Sequence, residues 1–234
     1  MRKAPVRFII PLLCLIVLNG AFAQKAPPKE FNKREADLVE LITLDPTIEL
    51  DIRYATANNF VGRAVYPEAR AFLQKPAAKA LLRVHDKLKK HSLGLVIFDG
   101  YRPWTITKLF WDVTPEDKRK FVANPEKGSK HNRGCAVDLS VYDLKTGKLL
   151  DMPSGYDEFS ERASPDYKGG SETQTANREM LRKMMEAEGF TVNPNEWWHF
   201  DYKDWEQYAI YDIPFDEAAA AAKTKIKVKT KIKN

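Results

Sequence analysis

The chain has 234 residues, 44% hydrophobic and 30% charged, enough apolar content for a single domain with a sizeable core and too mixed for a low-complexity or collagen-like protein. Its 38 basic and 32 acidic residues give a formal charge of +6, and only two cysteines are present. A disulfide scaffold and a Cys-rich zinc ribbon are both excluded, so any bound metal must be held by histidines and carboxylates.

In chain order, Arg2, Lys3 and Arg7 precede an apolar run from Phe8 to Leu18, which leads to Ala21-Phe22-Ala23. A charged start, a short apolar stretch and an A-x-A site predict a signal peptide over residues 1–23, with export to the periplasm or beyond and cleavage near Ala23. The run is too short to span a bilayer. Its removal leaves Cys135 as the one thiol, expected to be buried or inert. Residues 24–40, rich in Lys, Pro and Glu, read as an N-terminal arm.

The fold proper is expected over 41–215. Ile48, Leu50 and Ile52 alternate with polar neighbours as in a strand. Pro76 opens a helix over 77–91 with Ala80, Leu81, Val84 and Leu88 on one face, closed by Gly94. Residues 95–98 form a buried-type strand, 103–113 a helix, and 115–129 a long polar loop. Residues 136–142 alternate as a strand and turn through 145–148 into a hairpin partner at Leu149-Leu150. A helix over 177–188 ends at Gly189, and Trp197 to Tyr202 is an aromatic strand. Strands and helices without regular βαβ alternation indicate an α+β domain. Residues 216–234 place five alanines before six lysines between Lys223 and Lys233. This Ala/Lys tail is expected to be disordered, with weak attraction to anionic envelope polymers as its sharper alternative. Leader and tail account for nine positive charges, leaving about -3 for the rest, so no nucleic-acid partner is expected.

Among the four histidines, His85 and His91 lie on the lysine-rich helix and are expected to face solvent. His131 lies in the segment 128–138 and His199 follows Glu196-Trp197-Trp198. Two histidines with one aspartate from these segments make a three-ligand site with an open position, the catalytic rather than the structural zinc pattern. One carboxylate leaves the dication positive enough to polarise a carbonyl and to bring a water's pKa toward about 7. Glu196, three residues before His199, is the carboxylate expected to take the proton. An offset of three on a straight strand aims Glu196 and His199 to opposite faces, so the chain must bend if both serve one site. Gly134 allows the backbone to turn between His131 and the strand carrying Asp138. Each piece also has an ordinary structural reading. Asp138 weighs against it, because a carboxylate set among apolar neighbours is costly to bury without a cationic partner.

Three segments, Asp99-Gly-Tyr-Arg-Pro103, Ser129-Lys-His-Asn-Arg-Gly-Cys-Ala-Val-Asp138 and Glu196-Trp-Trp-His199, together resemble the D-alanyl-D-alanine dipeptidases of the VanX type in peptidase family M15. The likeness extends through residues 53–62 and 152–157 and covers most of 41–215. That larger group comprises zinc D,D-peptidases related in fold to the hedgehog signalling domain. The resemblance implies a central, mostly antiparallel sheet flanked by helices, and one zinc ion per chain held by His131, Asp138 and His199. It further implies Glu196 as general base, Arg102 as the cation that stabilises the transition state, and Ser129 and Asp157 as holders of the substrate's amino group. The implied reaction is hydrolysis of the small dipeptide D-Ala-D-Ala to two D-alanines in cell-wall turnover. A D,D-carboxypeptidase or endopeptidase acting on peptidoglycan stems would use the same residues in a more open cleft. A non-catalytic wall-binding module would need neither Glu196 nor Arg102. The arm before residue 40 and the lysine tail have no counterpart in this family, and no motif specifies an oligomeric state.

Overall fold

The computed structural model of the chain describes residues 26–232; the segment read as a signal peptide lies outside them. Strand β1 (Leu38–Glu40) is followed by β2 (Glu49–Leu50), β3 (Phe72–Gln74), helix α1 (Lys75–Lys89), β4 (Leu93–Asp99) and α2 (Trp104–Val113). Then come β5 (Ala136–Asp143), α3 (Glu172–Glu186), β6 (Phe190–Asn193), β7 (Glu196–Tyr202) and α4 (Phe215–Ile232). Five strands make the central sheet in the order β2-β4-β5-β7-β6, with β2 and β4 parallel and the other neighbours antiparallel. β1 and β3 pair separately as a small antiparallel sheet. The class is α+β.

The longer elements follow from their side-chain period. In α1 the apolar face of Ala77, Ala80, Leu81, Val84 and Leu88 is wholly buried, and Pro76 sits in the first turn where its missing N–H costs nothing. β4 and β5 are buried along nearly their whole length and form the centre of the core. α3 begins earlier than its apolar spacing suggests because Ser171 and Gln174 close a capping box across its first turn.

Several expectations are corrected. His85 is fully buried, not solvent-facing: its Nδ1 accepts the Leu95 N–H at 3.2 Å and its Nε2 lies 2.8 Å from Thr47 Oγ1. Burial depresses its pKa, so the ring is a neutral strut between α1 and the sheet. Gly94 lies inside β4, and the chain instead leaves α1 through Ser92, whose φ is +59°. The arm is integrated rather than separate. Glu30 pairs with Arg133, Arg34 bridges to Tyr208, and β1 falls within the residues read as arm. The Ala/Lys segment is helical as α4. Alanine is the strongest helix former, Asp216 and Glu217 suit the positive end of the helix dipole, and Phe215, Ala218 and Ala219 are buried.

The turn into β5 carries a backbone requirement. Residues His131–Arg133 form one 3₁₀ turn that ends on Gly134 at φ +67°, and a Cβ there would lie 2.6 Å from Leu38 Cδ2. Replacing Gly134 with Ala combines left-handed strain with a collision against β1. It is expected to cost about 2 kcal/mol of stability, read as a lowered denaturant midpoint at unchanged slope.

Candidate active site

The register of the central sheet builds the site. Asp99 on β4 stands opposite Asp138 on β5, and Asp138 stands opposite His199 on β7. Directly opposed residues share a face of the sheet, so these three side chains form a row across three strands. His131 joins them from the 3₁₀ turn that precedes β5. Asp138 Oδ1 lies 3.4 Å from His131 Nε2 and 3.0 Å from His199 Nδ1, and the two ring nitrogens are 3.1 Å apart.

The partners on the far side of each ring decide what those atoms are. His131 Nδ1 lies 2.7 Å from the Gly100 carbonyl and must donate to it, which leaves Nε2 as a bare lone pair. His199 Nε2 lies 2.9 Å from Asp201 Oδ1, and Asp201 is in turn held by Lys130 Nζ at 2.6 Å. His199 Nδ1 is thus also a lone pair in the neutral ring. Three acceptors face one another, and Asp138 Oδ1, although buried, receives no hydrogen bond among the described residues. With both rings neutral such a triangle is repulsive, and a proton on His199 or a metal cation at the centre relieves it. A tetrahedral zinc ion with ligand bonds of about 2.0–2.1 Å separates its ligand atoms by about 3.3–3.4 Å, close to the observed spacing. The donor set of two imidazoles and one carboxylate therefore fits zinc. Burial opposes charge on the His199 ring, yet Asp138 and Asp201 hold its pKa well above the usual range. Burial also opposes charge on Asp138, but the two histidines keep its carboxyl well below that of an ordinary aspartate. The pocket favours positive charge at this point.

Glu196 reaches the triangle because β7 is irregular. Val192 pairs with Phe200 whereas the next residue, Asn193, pairs with Glu196, so β6 passes over Trp197 to His199 in one step. This is the bend required for both residues to share a site, and Glu196 Oε2 lies 3.6 Å from His199 Nδ1. Asn193 Nδ2 donates to the same oxygen at 3.1 Å, and burial raises the Glu196 pKa. Arg102 follows the Asp99-Gly100 turn. Its Nε and Nη2 both donate to Asp99 Oδ2, at 2.9 and 2.7 Å, and Nη2 is 3.9 Å from Asp138 Oδ2.

Asp157 lines the same cavity as the histidines. Burial raises its carboxyl to about 7, and it accepts the Tyr54 hydroxyl at 2.8 Å. Ser129 lines the same space, with Oγ accepting the His131 N–H at 3.2 Å. All seven residues singled out in the sequence border one cavity of about 310 Å³. Sequence reasoning missed Tyr54, Tyr156, Asp201 and Lys130. Asp201 could have been found, since it lies two residues beyond His199 on a strand and so on the same face. His91 is exposed, and Cys135 is a buried free thiol that burial pushes up to about 12.

Residues 34–220 match the family profile described as D-ala-D-ala dipeptidase, of the M15 peptidases. The D-alanyl-D-alanine dipeptidase of Escherichia coli is 35% identical over 181 residues, covering 77% of this chain and 91% of that protein. The enzyme of the same name from Enterococcus faecalis is 35% identical over 175 residues, covering 67% of this chain and 87% of its own. Among solved structures, the LdcB LD-carboxypeptidase aligns at 19% identity with a TM-score of 0.43, covering 81% of this chain and 79% of that one. With a profile match over most of its length and relatives of this identity and coverage, the chain belongs to the D-Ala-D-Ala dipeptidase family of M15 peptidases.

Proposed function

We propose that this protein is an exported, zinc-dependent dipeptidase that hydrolyses D-alanyl-D-alanine to two D-alanines in the turnover of cell-wall dipeptide. The observation that carries the reading is the convergence of ligand atoms from His131, Asp138 and His199 at one buried point, with Glu196 and Arg102 at its border. Zinc held there supplies Lewis acidity, polarising a carbonyl and acidifying a water.

The chain's own groups supply the rest. Glu196, whose burial weakens its acidity, takes the proton of the attacking water at its carboxylate and passes it to the leaving amine. Asp99 engages Nε and one hydrogen on Nη2 of Arg102, which leaves donors of the fixed guanidinium to face a developing oxyanion. Asp157, fixed by Tyr54, presents a carboxylate to the substrate's ammonium group. Recognition of a free amino end one residue from the scissile bond selects a dipeptide over a longer stem peptide. The leader over residues 1–23 supports export, and an exported enzyme meets dipeptide released from the wall rather than its cytoplasmic precursor.

Three outcomes are expected. Chelation abolishes turnover of D-Ala-D-Ala and zinc restores it, while Glu196→Gln keeps stoichiometric zinc but loses about 10³-fold in kcat; cleavage of a stem pentapeptide in preference to the dipeptide contradicts the assignment. In the pH profile, kcat/KM reports the free enzyme. Asp157 binds an ammonium only when ionised, so kcat/KM should fall on the acid side of about pH 7. Asp157→Asn should lower kcat/KM mainly through KM and flatten that limb. Expression of the full chain in a Gram-negative host should yield a periplasmic protein whose N-terminal sequence begins at Gln24.

A further inference from the structure

Asp138 has two oxygens, and they live in different surroundings. Oδ1 faces the two histidine nitrogens, whereas Oδ2 accepts the hydroxyl of Tyr156 at 3.1 Å. That hydroxyl has little freedom. The Tyr156 ring is 6% exposed, stacks on Phe98 with centroids 4.6 Å apart, and meets the edges of Trp198 and Tyr54 at 5.6 and 6.2 Å. The Arg53 guanidinium lies 5.8 Å from its centroid. A ring held by these neighbours fixes the position of its oxygen.

The backbone that delivers it is unusual. Asp157 has φ +59°, a left-handed conformation that non-glycine residues seldom adopt. At that turn two consecutive side chains converge on one site: the Tyr156 hydroxyl reaches Asp138 while the Asp157 carboxylate accepts from Tyr54. In an extended segment, successive side chains would point apart. Strain of this kind persists where surrounding structure enforces it, and it clusters at functional sites.

We infer that Tyr156 is a positioning residue for the metal ligand Asp138, holding Oδ2 so that the carboxylate offers the ion a single oxygen, Oδ1. Resting on the zinc reading above, the inference adds to it a reason why the site keeps a position open for water and substrate. With Oδ2 occupied by a neutral donor, the carboxylate cannot swing to present both oxygens. Arg102 Nη2, at 3.9 Å, is too distant to do this alone.

The test is Tyr156→Phe, which retains the stacked ring and deletes the hydroxyl. Zinc affinity of the metal-free protein, measured by competition with a chromophoric chelator, should fall about tenfold, the lower end for loss of a group that orients a ligand. The visible spectrum of the cobalt(II)-substituted protein should change in band position and intensity, because the number and arrangement of donor oxygens change. The metal-free variant should remain folded, with a melt lowered by the loss of one hydrogen bond to a buried carboxylate. A zinc affinity within twofold of the unmutated protein, or an unaltered cobalt spectrum, overturns the inference, and a lowered metal-free melt with an unaltered spectrum marks Tyr156 as purely structural. Asp138→Ala serves as the reference for loss of the ligand itself. A folded unmutated protein that binds no stoichiometric zinc overturns the metal reading together with this one, whereas normal binding with an indifferent Tyr156→Phe overturns only the role of Tyr156.

Discussion

Three carboxylates are buried near one another on a single sheet, and the site is arranged around the cost of keeping them there. Asp99, Asp138 and Asp201 are 1%, 3% and 9% exposed. An ionised carboxylate taken out of water costs several kcal/mol unless it is fully partnered. Asp99 is satisfied by Arg102, by the Tyr66 hydroxyl at 2.8 Å and by the Gly100 N–H at 2.9 Å. Asp201 is satisfied by Lys130 and the His199 ring. Asp138 is satisfied on Oδ2 alone, which leaves one buried oxygen beside two imidazole lone pairs. The deficit falls where these atoms converge, so a cation bound there would relieve an unfavourable folded-state interaction, and its binding would be linked to folding stability.

The orientation of His131 is traceable to β3, outside the central sheet. β3 lies against the Asp99-Gly100 turn, where Phe72 accepts the Tyr101 N–H at 2.7 Å. A Cβ on Gly100 would come within 2.7 Å of that same Phe72 carbonyl, so only glycine permits the approach. The turn held in this way aims the Gly100 carbonyl at His131 Nδ1 and so selects the tautomer whose Nε2 faces Asp138. The next two residues of the turn lead to Arg102, so one short loop both orients His131 and supplies the guanidinium.

What was legible in the sequence follows the range of the interactions involved. α1, α2, β4, β5 and β7 bury apolar residues at a regular period, which is local information, and their places were readable. β1, β3 and β6 have three or four residues each and owe their existence to partners far along the chain, so no periodicity announces them. The same distinction separates the site residues. His131, Asp138, Glu196 and His199 fall in segments whose residue types and spacing carry their chemistry. Tyr54 reaches the site from a 3₁₀ turn and Tyr156 from a loop, and their roles depend on a tertiary contact that their neighbours in sequence do not encode. His85 was misread for a related reason: its lysine-rich surroundings describe the exposed face of α1, while the ring itself lies on the buried one.

The appendages show how composition can mislead about architecture. Residues 24–40 look like a solvated arm by content, yet Glu30 holds Arg133 through both guanidinium Nη atoms and also accepts the Ile210 N–H at 2.9 Å. Burial opposes charge on Glu30, but these donors keep its carboxyl below the usual value. Arg133 further donates to the Tyr208 carbonyl and lies 5.4 Å from the Trp205 ring. Arg133 is two residues from His131, in the same 3₁₀ turn, so the arm braces the turn that carries His131 against the segment 205–210. At the other end, Phe215 at the start of α4 packs on Tyr66 and Phe72, at centroid distances of 4.9 and 5.4 Å. Tyr66 supports Asp99, and Phe72 supports the Gly100 turn. Both ends of the described chain thus bear on the residues that orient the site, one behind His131 and the other behind Asp99 and Gly100. The motifs that carry the site residues rest on these flanking segments, although nothing in the motifs themselves refers to them.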